Sequence, residues 1–318
     1  VVNSAPIPPS GGFIRSLKDL FMDLNHGLIS QYFKSYRIIK SQIEKADIVI
    51  CVGDTFCLAM GSAKKHNNRY FLPTAKSDRF MPHSWLEYWY IKRKAKRTFP
   101  RDKETQQSFA KRNIPSAYLG FPMFDLTIDT HPPFLFETTQ PITGILPGSR
   151  IEAYSNLKKI LSVICHPHYL SNAFVLSCSP SLDHDKIATV LAAEGWTQTA
   201  PSQWQLNNTK QLIITTKFEQ VIQYCPLIIG LAGTANEQAC HFGCSVYSFP
   251  GSGPQSTPKR LQEQVKLMNN AITFIPTDHP EKIVSIINSS FANAPTPTQQ
   301  TSSPAAPAII ENILHHNG

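Results

Sequence analysis

The second half of the chain repeats one pattern three times: a short apolar run, a turn that contains glycine, and a stretch suited to a helix. Short apolar runs of this kind are typical of buried parallel strands, and strands that alternate with helices indicate an α/β fold. In such a fold the carboxyl ends of parallel strands meet at one edge of the sheet, where ligands bind. We therefore expect the three turns to gather at one crevice.

The first turn is Pro147-Gly148-Ser149-Arg150, after the apolar run 142–146. We expect a helix from about Ile151, with Ser149 available to cap it. The N–H groups of a first helical turn bind anions, and Arg150 can hold a phosphate through two parallel hydrogen bonds. A phosphate site and an ordinary strand-turn-helix joint both remain open for this turn alone.

The second turn, Ala232-Gly233-Thr234, follows the run 227–231 and again opens a helix. Its small residues let a ligand lie against the helix N-terminus, and Glu237 can accept hydrogen bonds from ribose hydroxyls. Glu237 could instead be a solvated acid that the helix dipole favours.

The third turn contains Gly251, Gly253 and Gln255 and follows the run 245–249, with Gln264 one helix further on. Further strands are predicted in the same half over 173–178, 212–215 and 272–275.

The first half has the same α/β character. Apolar residues at helical spacing over 11–45 predict one or two helices, and strand-like runs follow at 47–54, 70–73 and 97–99. We expect an N-terminal domain over 1–135 that lacks the opening strand and glycine turn, and a second domain over 136–291. The segment 292–318 is rich in Pro, Thr, Ser and Ala, and is predicted to be flexible with a helix at 308–315.

These motifs resemble those of lipid-A-disaccharide synthase and, more closely, of the lipid-A-disaccharide synthase-related proteins. In the first half the resemblance is carried by segments 10–13, 52–54, 74–78, 99–102 and 120–123. It implies a GT-B fold, in which two Rossmann-like doubly wound domains face a cleft, and transfer of a sugar from a UDP-sugar to a lipid-linked or sugar-phosphate acceptor. Segments 74–78 and 99–102 differ from those expected of the synthase itself, so its substrates do not carry over.

The resemblance also implies roles for the residues of the second half. The UDP-sugar is the donor substrate, and GT-B enzymes generally need neither a metal nor another cofactor. The implied donor-binding residues are Gly148, Ser149, Arg150, Gly233, Thr234, Glu237, Gln238, Gly251, Gly253 and Gln255. A non-catalytic nucleotide-sugar-binding protein and a UDP-sugar epimerase of GT-B architecture are the alternatives.

Acceptor-side residues are expected in the first half. Asp54 and Asp78 each follow a strand-like run, so either is a candidate catalytic base, and either could equally cap a helix. Lys76, Ser77 and Arg101 are candidates for holding an acceptor phosphate.

The segment 85–97 combines aromatic residues with cations. If it is helical, Trp85, Tyr88, Trp89 and Lys92 are expected on one face, which together with Lys96 suits contact with an anionic membrane. Burial of the aromatic rings under a solvated basic face is the alternative.

Composition narrows the partners further. The net charge of +8 favours anionic ligands, but no nucleic-acid-binding motif accompanies it, so nucleic acid is not expected. No apolar run is long enough to cross a bilayer, which predicts a cytoplasmic protein with an option of peripheral contact with the inner membrane face. The seven cysteines lie mostly among apolar neighbours, as reduced core thiols do, and we favour that reading over a metal site at Cys240, His241 and Cys244.

Overall fold

The computed structural model describes residues 28–126, 133–136, 138, 141–291 and 304–316. Several predictions therefore fall wholly or largely outside the described residues: segment 10–13, the first part of the 11–45 helix, and the flexible segment that follows residue 291. The strands are β1 (Val49–Gly53), β2 (Arg69–Pro73), β3 (Arg97–Thr98), β4 (Thr143–Leu146), β5 (Ala173–Ser177), β6 (Thr197–Ala200), β7 (Gln203–Leu206), β8 (Lys210–Thr215), β9 (Leu227–Gly230), β10 (Ser245–Ser248) and β11 (Ile272–Phe274). The helices are α1 (Leu28–Ile43), α2 (Thr55–Gly61), α3 (Trp85–Lys94), α4 (Lys103–Ala110), α5 (Ala153–Ile164), α6 (His184–Ala193), α7 (Phe218–Tyr224), α8 (Thr234–His241), α9 (Pro258–Leu267), α10 (Pro280–Asn288) and α11 (Ala305–His315).

The chain divides into two compact units. Unit 1 comprises residues 1–121 and 305–318, and unit 2 comprises residues 122–304. This division differs from the predicted boundary at residue 135, because Phe134 and Phe136 pack against a core of unit 2. It also differs at the end of the chain, where α11 belongs to unit 1.

Unit 1 contains a parallel sheet in the order β1-β2-β3. Side chains of α2, α3 and α4 cover one face of this sheet, around the buried Phe71 and Phe109. On the opposite face, Ile309 and Ile313 of α11 pack against Tyr70. The predicted terminal helix is thus present, begins three residues earlier than expected, and completes the core of unit 1.

Unit 2 contains a sheet in the order β11-β10-β9-β4-β5-β8-β7-β6. The six strands from β11 to β8 in this order are parallel, and the strands predicted for this half are all among them. Neighbouring residues of one strand point to opposite cores: Ile145 packs with α5, α6 and α10, whereas Leu146 packs with α7 and α8. The sheet is therefore covered by helices on both faces, as the doubly wound prediction requires.

The antiparallel hairpin β6–β7 at the sheet edge was not predicted. Its signal is weak because β6 is polar and exposed, and only Trp204 and Leu206 of β7 are buried, in alternation with glutamines. Period-two alternation over four residues is too short to distinguish from a loop.

The order of the parallel strands locates a crevice in unit 2. From β4 the chain proceeds outward through β5 and β8, and it then returns to the other side of β4 to form β9, β10 and β11. The connections leaving the carboxyl ends of β4 and β9 therefore diverge. Such a switch point is where open α/β sheets bind ligands.

Candidate functional site

The first glycine turn leaves β4 at the switch point. Gly148 has φ +112°, a conformation that residues with side chains rarely adopt, and no heavy atom of the described residues other than Gly148 and its two chain neighbours lies within 4 Å of a β-carbon built on it. Helix α5 begins at Ala153, and its N-cap is Glu152, whose side chain makes no capping hydrogen bond in the described structure. The prediction that Ser149 caps this helix was wrong, because the helix begins two residues later than expected. The turn thus presents backbone towards open space.

The second turn lies beside it, after β9. Gly233 is the N-cap of α8 and, as a glycine, has no side chain with which to cap this helix. Beneath the turn, the Gln264 amide donates to the Gly233 carbonyl (2.7 Å), and the Asn236 amide donates to the Gly230 carbonyl (3.0 Å). Glu237 is buried beside Gln264, with 3.5 Å between the Glu237 carboxylate and the amide nitrogen. The α8 N-terminus is therefore exposed at its tip and held by buried amides below.

The third turn follows β10 and packs against the second. The Ser256 hydroxyl donates to the Leu231 carbonyl (2.8 Å), and Gln255 Oε1 lies 3.3 Å from a β-carbon built on Gly233. Gly253 has φ +85°, so glycine is favoured there as well.

Asn156 of α5 joins the first turn to the third. Its side-chain nitrogen donates to the carbonyls of Pro147 (3.1 Å) and Ser252 (3.3 Å), and its oxygen accepts from the Ser252 N–H (2.7 Å). The three turns therefore come together at the carboxyl ends of β4, β9 and β10, which confirms the expected gathering. The sequence signal that could have singled out Asn156 is a polar residue on the apolar face of an amphipathic helix, next to the buried Leu157.

The remaining donor-side candidates have different surroundings. Ser149, Arg150 and Thr234 are exposed at the mouths of the first two turns. Gln238 instead donates to the Met123 carbonyl (2.7 Å), and Phe124 of the same segment stacks on His241. This contact disfavours the predicted role of Gln238 in nucleotide binding, because its amide already holds the segment that precedes the second sheet.

In unit 1 the corresponding joints are occupied by the protein's own side chains. Asp54 accepts a hydrogen bond from the Cys57 N–H (3.1 Å) and caps α2. Asp102 caps α4 by accepting from the Thr105 N–H (2.7 Å). The cap that we weighed for Asp54 is thus observed, and its role as a base stays a prediction.

Asp78 has a buried carboxylate with three hydrogen-bond donors. Oδ1 accepts from the His83 N–H (2.9 Å) and lies 2.7 Å from His83 Nδ1, while Oδ2 accepts from the Tyr88 hydroxyl (2.7 Å). Burial alone would raise the pKa of Asp78, but the hydrogen bonds from His83 and Tyr88 outweigh it and lower the pKa to about 2. A carboxylate held in its ionised form by internal donors is a poor proton acceptor at neutral pH, so these contacts disfavour Asp78 as the base.

The acceptor-phosphate candidates also have partners within unit 1. Lys76 contacts both carboxylate oxygens of Glu87 at 2.8 Å. Ser77 is buried and accepts from the Arg79 N–H, and Arg101 donates to the Thr74 carbonyl (3.0 Å). These contacts fix the loops after β2 and β3, so holding a phosphate would require an exchange of partners.

The aromatic side chains of helix α3 differ in exposure. Tyr88 is buried, whereas Trp85 is 74% and Trp89 51% exposed, so Tyr88 is not part of the exposed aromatic surface that the sequence suggested. The exposed face continues to the exposed Lys92. Lys96, just beyond the helix, is exposed and donates to Asn68 and to the His316 carbonyl.

The described residues also bear on the expectations about metals, thiols and membrane-spanning segments. They contain no group of three or more His, Cys, Asp and Glu side chains placed to hold a metal ion, and the cysteines are unpaired thiols. No described helix has the length and apolarity needed to span a membrane.

Comparison with known proteins shows the fold. No family model matches the chain, and no curated protein matches it in sequence. Among solved structures, a Listeria monocytogenes protein named for UDP-N-acetylglucosamine 2-epimerase is 14% identical, with a TM-score of 0.57 over 91% of this chain and 80% of that one. MurG of Acinetobacter baumannii is 14% identical, with a TM-score of 0.52 over 98% of this chain and 84% of that one. The UDP-GlcNAc 2-epimerase of Methanocaldococcus jannaschii, crystallised with UDP-GlcNAc and UDP, is also 14% identical, with a TM-score of 0.52 over 90% and 81%.

These similar structures have the GT-B fold, and the fold prediction is confirmed. They do not single out the lipid-A-disaccharide synthase-related proteins among GT-B families. The chain is therefore similar in fold to GT-B glycosyltransferases and UDP-sugar epimerases alike.

Proposed function

We propose that this chain is a UDP-sugar-dependent hexosyltransferase of the GT-B type and that unit 2 binds the donor. The observation that carries the proposal is the position of the three glycine turns. They leave three adjacent parallel strands at the switch point of the sheet, and Asn156 and Ser256 join them. Similar structures solved with UDP or UDP-GlcNAc support a nucleotide-sugar as the ligand.

The chemistry follows from the charge of the leaving group. Transfer of the sugar leaves UDP with a negative charge on its diphosphate, and fixed donors aimed at that charge stabilise the transition state. In our proposal the backbone around Gly148 and the N-terminus of α8 receive the diphosphate, Arg150 adds a cation, and Glu237 accepts from the ribose. The chain's own residues would supply this neutralisation without a metal cofactor.

Calorimetric titration with UDP tests the donor site. Arg150→Ala and Glu237→Ala should each weaken UDP binding about tenfold or more, since a hydrogen bond to a charged group contributes about 1.5–3 kcal/mol. The exposed Lys158→Ala, in the same helix as Asn156, is the control for lost positive charge, and Glu263→Ala is the control for lost negative charge. Unchanged affinity in both site variants would remove the assignment.

A UDP-sugar epimerase is the second candidate, because two of the similar structures carry that name. The two activities differ in their need for an acceptor. Incubation with UDP-GlcNAc alone, followed by NMR of the sugar, should show no inversion at the sugar carbons for a transferase. A second UDP-sugar isomer at equilibrium would favour the epimerase, and UDP binding without turnover under any condition would indicate a non-catalytic binding protein.

For the acceptor, we propose a lipid-linked or sugar-phosphate molecule, presented at the inner face of the cytoplasmic membrane. The exposed rings of Trp85 and Trp89 precede the cations Lys92, Arg93 and Lys94 on α3, and Arg93 lies over the Trp89 ring (4.8 Å). Exposed tryptophans beside cations suit the headgroup region of an anionic bilayer.

Flotation with vesicles tests this surface. The protein should bind vesicles containing phosphatidylglycerol more tightly than vesicles of phosphatidylcholine alone, and Trp85→Ala/Trp89→Ala should reduce binding. Ile286→Ala, which removes an exposed apolar side chain of unit 2, is the matched control. Equal binding by the double variant and the wild type would contradict the proposed contact.

A further inference from the structure

We propose that Asn156 is a positioning residue that sets the spacing of the first and third turns and thereby makes the donor site selective for a nucleoside diphosphate over a monophosphate. The inference rests on the proposed function, since it concerns the same site. It concerns a residue that does not itself line the open mouth of that site: Asn156 is 3% exposed.

The hydrogen bonds of Asn156 fix its orientation. The Ser252 N–H can only donate, and the Pro147 and Ser252 carbonyls can only accept, so the amide oxygen must face the former and the amide nitrogen the latter two. An amide is the side-chain group that can satisfy both the N–H and the carbonyl of one residue while also reaching a second carbonyl. These partners all belong to the backbone of the turns, so displacement of this one side chain moves both turns.

The third turn has little room on the side of Asn156. A β-carbon built on Gly251 would lie 2.8 Å from Asn156 Oδ1 and 2.7 Å from the Ser256 β-carbon. Lys159, one turn further along α5, donates to the Pro250 carbonyl (3.2 Å). The third turn is therefore seated directly on α5, and its distance from Gly148 depends on this contact.

The consequence for binding concerns the number of phosphates. A diphosphate is long enough to meet the donors of the first and second turns at once, whereas a monophosphate can be held by one. The third turn is held to the first by Asn156 and to the second by Ser256, so the Asn156 contacts help to set the distance that the diphosphate spans. Fixed spacing between turns adds most to the affinity of the ligand that spans them, because the ordering of the loops is already complete before binding. Loss of the Asn156 contacts should therefore weaken UDP binding more than UMP binding.

The variants Asn156→Ala and Asn156→Asp test this inference by calorimetry with UDP and UMP. Asn156→Asp retains the acceptor for Ser252 N–H but directs an oxygen at the two carbonyls. For both variants we expect the Kd for UDP to rise about tenfold or more and the Kd for UMP to rise about threefold or less, which corresponds to a partial loss of the interactions that only UDP spans. Gly251→Ala places a methyl group against Asn156 Oδ1 and should give the same pattern of Kd changes. It serves as the test if the Asn156 variants fold poorly.

Asn288→Ala is the matched control. Its amide has the same chemistry, donating to the His168 carbonyl (2.6 Å) and accepting from the Leu170 N–H (3.2 Å), but it joins α10 to the loop before β5. This variant should lose stability without a change in the UDP/UMP affinity ratio. If wild-type protein binds UDP and the Asn156 and Gly251 variants keep the wild-type ratio, the inference fails while the proposed function stands; if wild-type protein binds no UDP, the proposed function fails first.

Discussion

In each unit, a glycine with a positive φ lies at or just after the end of the first strand that the structure describes, but the two glycines have different surroundings. Gly53 at the end of β1 has φ +136°, and Gly148 after β4 has φ +112°. A β-carbon on Gly53 would lie 2.8 Å from the Cys57 sulfur, whereas one on Gly148 would meet no described atom within 4 Å apart from those of its chain neighbours. The left-handed turn alone therefore does not identify a ligand site; the space in front of it does.

The helices that follow extend the contrast. In unit 1, α2, α3 and α4 are each capped by a side chain, of Asp54, Ser84 and Asp102 respectively. In the described part of unit 2, α6 and α9 are capped by Asp183 and Thr257, whereas α5 and α8, which follow the first two glycine turns, have no such cap, and neither have α7 and α10. A capped terminus has used part of its free N–H groups on the protein, while an uncapped one at a switch point can offer them to an anion.

The largest expected effect is in unit 1, at its buried carboxylate. Asp78→Ala would leave His83 and the Tyr88 hydroxyl without their acceptor, and removal of one partner from a buried pair costs about 3–5 kcal/mol. Urea unfolding should show a loss of that size. Asp54→Ala, which removes an exposed cap, should cost only about 1 kcal/mol. Equal losses of stability in the two variants would mean that the hydrogen bonds from His83 and Tyr88 to Asp78 do not stabilise the fold more than an exposed cap does.

The next largest effect is expected from a substitution that gives α8 of unit 2 the kind of side-chain cap that α4 of unit 1 has. Gly233→Asp places a carboxylate at the N-cap of α8, where it can accept from the helix N–H groups as Asp102 does for α4. We expect UDP affinity to fall about 100-fold, by roughly 2.7 kcal/mol, because the new charge both occupies the donors and repels the diphosphate. Gly233→Ser, a neutral cap, should have a smaller effect. Unchanged affinity in Gly233→Asp would show that the phosphate does not bind at α8.

Gly53 and Gly148 allow a paired test in which the expected effect is of intermediate size. Gly53→Ala and Gly148→Ala should each cost about 1–3 kcal/mol of unfolding free energy, because both positions hold a conformation unfavourable to alanine. Only Gly148→Ala should weaken UDP binding, as measured by calorimetry. If Gly53→Ala lowered UDP affinity as much, the distinction between the two turns would be lost.

The smallest effect depends on pH. Burial raises the pKa of Glu87, but hydrogen bonds from Lys76, Ser84 and Thr55 outweigh it and lower the pKa to about 2. Because the folded pKa lies below the unfolded value of about 4.5, the stabilisation is present above pH 4.5 and is lost as the pH falls towards 2.

Glu87→Gln should therefore be less stable than wild type by about 1 kcal/mol at pH 7, and the difference should shrink on acidification. The value is this small because solvent screens the partly exposed pair of Glu87 and Lys76. Thermal unfolding between pH 7 and pH 3 measures this. Glu44→Gln, whose ion pair with Lys64 is about half exposed, should show a smaller difference at every pH. A difference that grows as the pH falls would contradict the assigned shift.

Much of unit 2 could be predicted from sequence because its signals are local. Apolar runs identified the parallel strands, and the glycine turns identified the edge at which they end. The residues that hold those turns together were harder to predict, since Asn156 contacts Ser252 across 96 positions of the chain and nothing near either residue indicates the pairing.

For the acceptor-side candidates, the sequence indicated the positions of polar residues but not what those residues contact. A carboxylate after a strand suggested a base at Asp78, but its surroundings depend on His83 and Tyr88, which the folded loop brings to it. Whether a polar side chain faces a ligand or a neighbour is decided by such tertiary contacts, and strand-end position alone does not reveal it.

Helix α11 has a consequence for how the protein is made. The chain leaves unit 1 at residue 121 and returns at residue 305, where Ile309 and Ile313 cover Tyr70 and Leu72. During translation, the sheet of unit 1 emerges from the ribosome before α11, so Tyr70 and Leu72 lack their contacts with Ile309 and Ile313 until the whole of unit 2 has been synthesised. A premature stop before residue 305 should therefore leave unit 2 able to fold while Tyr70 and Leu72 of unit 1 lose the cover of α11 and become more accessible to chaperones and proteases.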